Sequence, residues 1–241
     1  MATLTPLLRP ARRRALRLPQ PTQSQSQSRT FLSSFLPAAP TPEIQTLRAS
    51  RTLPYPSAPI YSIIADVPSY SAFLPYCTRS SITHWSAPDA ATGRRWPSIG
   101  VLTSSFGHLS ESFASRVYCV PGAVVESVGG ATATRLPEDA IRHHLRGERG
   151  DVATHGAEGL LTHLRNTWTV EQLAPRLTRI ELALEFQFAN PVYAALSQGV
   201  APKVAEAMVR AFEERVRGLL SEDPRMVDAK LEELDGSRFK G

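Results

Sequence analysis

The clearest pattern in the chain is a period of two. Ile180, Leu182, Leu184, Phe186 and Phe188 alternate with Arg179, Glu181, Ala183, Glu185 and Gln187, so one face of a strand carries large apolar side chains and the other mostly polar ones. This predicts a strand over Leu177 to Phe188 that is buried on one side and wet on the other. Stretches rich in β-formers at Thr78 to Ser86, Pro97 to Phe106, Leu109 to Val120, Val124 to Val128 and Leu160 to Val170 extend it to a mostly antiparallel sheet, preceded by a short strand from Ile44 to Leu53. Two short helices are predicted after that first strand. One covers Ala58 to Ala65, with Ser57 as N-cap and Pro59 in the first turn; the other runs from Pro68 through Tyr70 and Phe73 and is stopped by Pro75.

Past Phe188 the period changes to that of a helix. Asn190 followed by Pro191 is a start signal, and Val200, Val204, Met208 and Phe212 recur every four residues in a stripe that continues to Val216 and Leu219. Arg210, Glu213, Glu214 and Arg217 fall mostly off this stripe. Pro202 predicts a kink, or a break between a first segment, Pro191 to Gln198, and a main one. Ala87 to Arg95 and the Gly129 to Gly159 insertion read as surface loops, and residues 222–241 as a charged tail. The order of elements is that of an α+β helix-grip domain over residues 43–221, in which a curved antiparallel sheet of six or seven strands wraps a long C-terminal helix. Such a sheet leaves a cavity between itself and the helix, lined by its inward positions.

The candidate wall of that cavity is Leu102, Phe106, Phe113, Val117, Trp168, Phe186, Phe188, Val204, Met208 and Phe212. His163 and Trp168 are five apart and fall on opposite faces of a regular strand, with Trp168 the inward candidate. Leu74, Pro75 and Tyr76 would sit at a loop end where apolar side chains can touch a membrane.

Charge alters this picture at one end. Arg9, Arg12, Arg13, Arg14, Arg17 and Arg29 precede the first acidic residue, Glu43, so residues 1–42 carry all of the formal +5 surplus and the remainder sums to −1. A nucleic-acid partner is therefore not expected. An Arg- and Ser-containing segment without acidic residues reads as a mitochondrial transit peptide, with a disordered basic tail as the alternative. Cys77 and Cys119 form no CxxC, so neither a disulfide framework nor a thiolate metal site is expected, and no segment is apolar for long enough to cross a bilayer. The chain lacks Gly-x-Ser-x-Gly, His-Glu-x-x-His and a phosphate-cradling glycine loop. No catalytic residue, metal or cofactor is expected, and His143, His144 and His155 lie in the insertion, where they offer at most an adventitious metal site.

Several colinear stretches resemble the mitochondrial coenzyme Q-binding proteins of the START/polyketide-cyclase superfamily. They are Arg51 to Tyr55, Tyr61 to Val67 with Tyr70, Phe73 to Cys77, Glu111 to Val117, His163-Leu164 with Trp168, and Ala194 to Arg215 ending in Ala211-Phe212-Glu213-Glu214-Arg215. The insertion at Gly129 to Gly159 and Pro202 depart from that pattern. The resemblance implies a START-like carrier or chaperone of ubiquinone. It would act peripherally on the matrix side of the mitochondrial inner membrane, in respiration and ubiquinone synthesis, with respiratory complexes as further partners. A cyclase or aromatase enzyme, another lipid-transfer protein, and an interaction protein like the bacterial ribosome-association toxins are the competing readings. An enzyme would need an acid or base in the cavity, for which Glu111, Glu181, Glu185 and His163 are the strand candidates.

Overall fold

The period-two segments build one sheet. The computed structural model describes residues 43–106, 109–146, 160–197 and 201–234, with backbone alone for Phe106, Leu109, Leu196 and Ser197. Strand β1 (Gln45–Leu53) leads into helices α1 (Ser57–Ala65) and α2 (Tyr70–Phe73), and then come β2 (Cys77–Trp85), β3 (Pro97–Phe106), β4 (Leu109–Val120) and β5 (Val124–Gly130). A helical turn α3 (Arg142–Leu145) precedes β6 (Leu161–Ala174) and β7 (Leu177–Phe188), which are followed by helices α4 (Pro191–Ser197) and α5 (Ala201–Glu222). The sheet order is β1-β7-β6-β5-β4-β3-β2 with every neighbouring pair antiparallel. This is the expected helix-grip arrangement: six strands form a meander, and the first strand closes against the last.

Cross-strand register separates the two faces. The row Ser127–Asn166–Leu184 faces inward, and the next row, Val128–Arg165–Glu185, faces outward. The inward face packs on α5, whose buried residues are Ala201, Ala205, Val209, Phe212, Val216, Leu219 and Leu220. The core stripe keeps the predicted Phe212, Val216 and Leu219 and is displaced by one residue only in the first turns of the helix. Ala205 and Val209 are its centre, and Val204 and Met208 flank it half-buried; Val200 lies outside the described residues. Arg51 of β1 pairs with Glu206 and, at 3.5 Å, with Glu213 of α5, fixing the helix against the edge strand.

Pro202 takes the second position of α5, where its missing N–H costs no helical hydrogen bond, so it separates two helices instead of kinking one. Asn190 caps α4 by accepting from the Val192 N–H at 2.8 Å. Ser57 does not cap α1. Pro56 holds the cap position in extended geometry, and the Ser57 N–H donates to Gln172 Oε1 on β6 at 2.7 Å.

The two predicted loops and the charged tail are all tied to the body of the domain. Residues 131–146 lie on the outward face and bury Ile141 and His143, so this half of the insertion is not a free surface loop; 147–159 lie outside the described residues. Between β2 and β3, Ala87 to Arg95 is the predicted surface loop, anchored at Asp89, whose Oδ2 accepts from the Nε1–H of the buried Trp96 at 3.1 Å. The charged tail continues as two 3-10 turns, Pro224–Met226 and Leu231–Glu233, that bury Met226, Val227 and Leu234 in the core. Arg94 donates to the Leu231 carbonyl at 2.7 Å and holds this segment down.

Candidate functional site

A cavity of about 220 Å³ lies between the inward face of the sheet and α5. Alternation places its wall: Leu102 from β3, Phe113, Ser115 and Val117 from β4, Val125 and Ser127 from β5, and Leu164, Asn166 and Trp168 from β6 all belong to inward rows. Val204 and Met208 close it from α5, and Val67, Tyr70 and the Leu74–Cys77 turn close it from the side of α2. Burial is graded along it. Trp168, Val117 and Val125 are almost fully buried at one end, whereas Tyr76, at 43% exposed, forms part of the rim at the other. Tyr76 also has φ +65°, a left-handed conformation that turns the chain sharply there.

The predicted wall is thus divided. Leu102, Phe113, Val117, Trp168, Val204 and Met208 meet at the cavity. Phe212 lies behind it, fully buried, with its ring 4.5 Å from Trp168 and 5.0 Å from Phe73, so it belongs to the core and not to the wall. Phe186 and Phe188 are not among the lining residues, although their cross-strand partners Leu164 and Leu161 are; they pack edge-to-face on each other, and Phe188 meets Tyr193 of α4. The Phe106 side chain lies outside the described residues. Leu74, Pro75 and Tyr76 line the cavity, and Leu74 is buried, so it is not an exposed membrane-contact residue.

The polar chemistry of the wall is neutral. Among its described residues none is charged. Tyr70 donates to the Ile64 carbonyl, and burial pushes its phenol well above the ordinary range. Burial likewise raises the Cys77 thiol, which donates to the Arg79 carbonyl at 3.5 Å, so neither group is a ready nucleophile.

The candidate acids and bases lie away from the cavity. His163 and Glu185 are on the outward face, where Glu185 binds Arg165 at 2.6 Å and Arg135 at 3.0 Å, and His163 meets Thr132 Oγ1 at 2.9 Å. Burial would raise the Glu185 pKa, but the Arg165 and Arg135 charges outweigh it and hold the group below the usual carboxylate range. Glu181 binds Arg48 at 2.7 Å, and Glu111 accepts from the Leu160 N–H at 3.4 Å.

His144 uses both ring nitrogens structurally: Nε2 accepts the Cys119 N–H and Nδ1 meets Ser98 Oγ, each at 2.8 Å. It is therefore not available to a metal, and His155 and His108 lie outside the described residues. Cys119 is fully buried and its thiol is pushed up to about 12 by desolvation.

Sequence reasoning missed Asn166, Ser115 and Ser127 in the wall. Counting back two residues from Trp168 along a period-two strand locates Asn166, and Ser115 lies midway between the predicted Phe113 and Val117; without the observed register, nothing marks Ser127.

Residues 53–213 match the family model described as polyketide cyclase / dehydrase and lipid transport. The chain is 27% identical to the mitochondrial coenzyme Q-binding protein of Schizosaccharomyces pombe over 72% of this chain and 88% of that protein. It is 26% identical to the ribosome association toxin RatA of Pseudomonas aeruginosa over 72% of this chain and 96% of that one. Among solved structures, a Streptomyces aromatase/cyclase superposes with a TM-score of 0.51 at 15% identity, covering 73% of this chain and 94% of that chain.

Proposed function

This chain belongs to the polyketide cyclase / dehydrase and lipid transport family, and from that premise we propose that it binds ubiquinone in its cavity and acts as a carrier or chaperone without covalent chemistry. The observation that carries the reading is the cavity itself, apolar on most of its wall and free of charged side chains among the described residues. Ring closure by general acid–base catalysis needs a titratable group within reach of the substrate; the described wall supplies no carboxylate, imidazole or amine, and its Tyr70 and Cys77 are pushed away from neutral pH by desolvation. The similarity to a coenzyme Q-binding protein supports quinone as the occupant. Each isoprene unit brings about five carbons, and burial at roughly 0.8 kcal/mol per CH₂ offsets the cost of ordering a flexible tail.

About 220 Å³ is less than the roughly 300–1,000 Å³ of pockets that enclose a drug-sized ligand, so the ring and the nearest isoprene fit while a long tail leaves past Tyr76. That exit is also the surface we assign to contact with the mitochondrial inner membrane, from the matrix side. Support of respiration and ubiquinone synthesis through respiratory complexes, and import directed by residues 1–42, belong to the same proposal.

The test is organic extraction and mass spectrometry of the protein expressed in a ubiquinone-making host, alongside Met208→Asp. Stoichiometric quinone in the wild type and none in a folded variant is the expected result. Phospholipid, or no ligand, in a folded wild type sinks the proposal and favours a cyclase or an interaction protein like RatA.

A further inference from the structure

Two polar groups at the deep end of the cavity have no hydrogen-bond partner among the described residues: Asn166 Oδ1 and Trp168 Nε1. Both atoms are removed from solvent. Buried polar groups in native proteins are nearly always paired, so an unpaired indole donor and an unpaired amide at one wall of a cavity call for an explanation. Ser127 stands opposite Asn166 across β5 and β6, yet neither it nor any other described residue hydrogen-bonds these two atoms, and Tyr70 Oη is committed to the Ile64 carbonyl. Asn166 and Trp168 are two apart on β6 and share its inward face, so their Cα atoms are separated by about 7 Å, a span suited to one substituted ring.

We infer that Asn166 and Trp168 bind the oxygen atoms of the ligand's ring, so that the ring enters first and the apolar tail trails past Val204 and Met208 to Tyr76. This rests on the quinone reading of the cavity and adds an orientation to it. The indole N–H is a fixed donor and requires an acceptor such as a ring carbonyl, hydroxyl or methoxy oxygen. The carboxamide is both donor and acceptor, and turning it end for end suits either the quinone or the quinol. The buried end is where such bonds are worth most, since no water competes there. The half-buried, mainly apolar surface nearer the rim suits a prenyl chain, which needs no partner. A tail-first ligand would leave both polar groups against hydrocarbon and its own oxygens in solvent.

The experiment compares two ligands on the full chain by titration calorimetry: a benzoquinone with one prenyl unit, and the matching prenylated benzene without ring oxygens. Wild type is expected to prefer the quinone by about tenfold or more. Asn166→Leu and Trp168→Phe should each lower quinone affinity about tenfold while leaving the hydrocarbon's affinity within about twofold. If Trp168→Phe fails to fold through loss of its contact with Phe212, Asn166→Leu decides alone. Variants that bind the quinone as tightly as wild type overturn the ring-first orientation and leave the carrier reading standing. A folded wild type that binds neither ligand overturns both.

Discussion

A single imidazole shows how finely some positions are set. His144 is held as the neutral form with hydrogen on Nδ1, because Nε2 accepts a backbone N–H and a second proton would face that donor. Desolvation, with the neighbouring His143 adding to it, pushes its pKa down from 6.5 to about 3. In the unfolded chain the same ring takes up a proton below 6.5, so the unfolded state binds more protons between 6.5 and about 3 and stability falls as pH drops through that window. The expected slope from this group is up to about 1.4 kcal/mol per pH unit, read as the urea midpoint against pH. His144→Gln should flatten it; an unchanged slope would show that the ring titrates normally. The sequence exposed the residue but not this role, since the partners are a hydroxyl on β3 and an amide on β4 that only the folded sheet brings together. The cavity wall was legible to the extent that alternation was: Leu102, Phe113, Val117 and Trp168 follow from strand parity, whereas Asn166 is polar and hides in a pattern read for apolar residues.

Strands were easier to read than what covers them. Their parity is local, and β3, β4 and β7 keep the limits that alternation predicts. The segment after β5 gives no periodic signal because polar bonds hold it: the Ala133 carbonyl accepts from Arg165 at 2.7 Å, Thr134 donates to Glu126, and Thr132 bridges His163 and the Leu164 N–H. Gly130 permits the turn that starts it. With φ +64° and the Thr162 carbonyl oxygen 2.4 Å from where a Cβ would stand, no other residue fits without displacing the backbone. Arg165 and Glu126 beneath this strap are both buried, so removing one leaves the other charge with too few partners. Arg165→Met is expected to cost about 3–5 kcal/mol, and Arg165→Met with Glu126→Leu clearly less than the sum of the single changes. Additive losses in a double-mutant cycle would show that the two side chains act independently.

For the whole domain, the sequence places the end of the core at Ser221, and the structure carries it on to Leu234. Met226, Val227 and Leu234 are buried against the body of the domain although their surroundings in sequence are charged. No local pattern announces that, because three side chains at irregular spacing bury themselves only once α1 and α5 are in place. Truncation after Glu222 removes three buried apolar side chains, each worth about 1.5–3 kcal/mol. It is expected to lower the melting temperature markedly, and a thermal scan that shows no shift would mean these residues add nothing to the core. The pairing of β1 with β7, Gln45 against Phe186 and Leu53 against Thr178, sets the order in which the molecule can be made. Most hairpins from β2 to β7 close short loops as the chain emerges, but the first strand has no ladder to join until the last has been synthesised. A ribosome-bound chain that has not released β7 therefore exposes β1 as an unpaired strand, and this is the stage at which a chaperone is most needed.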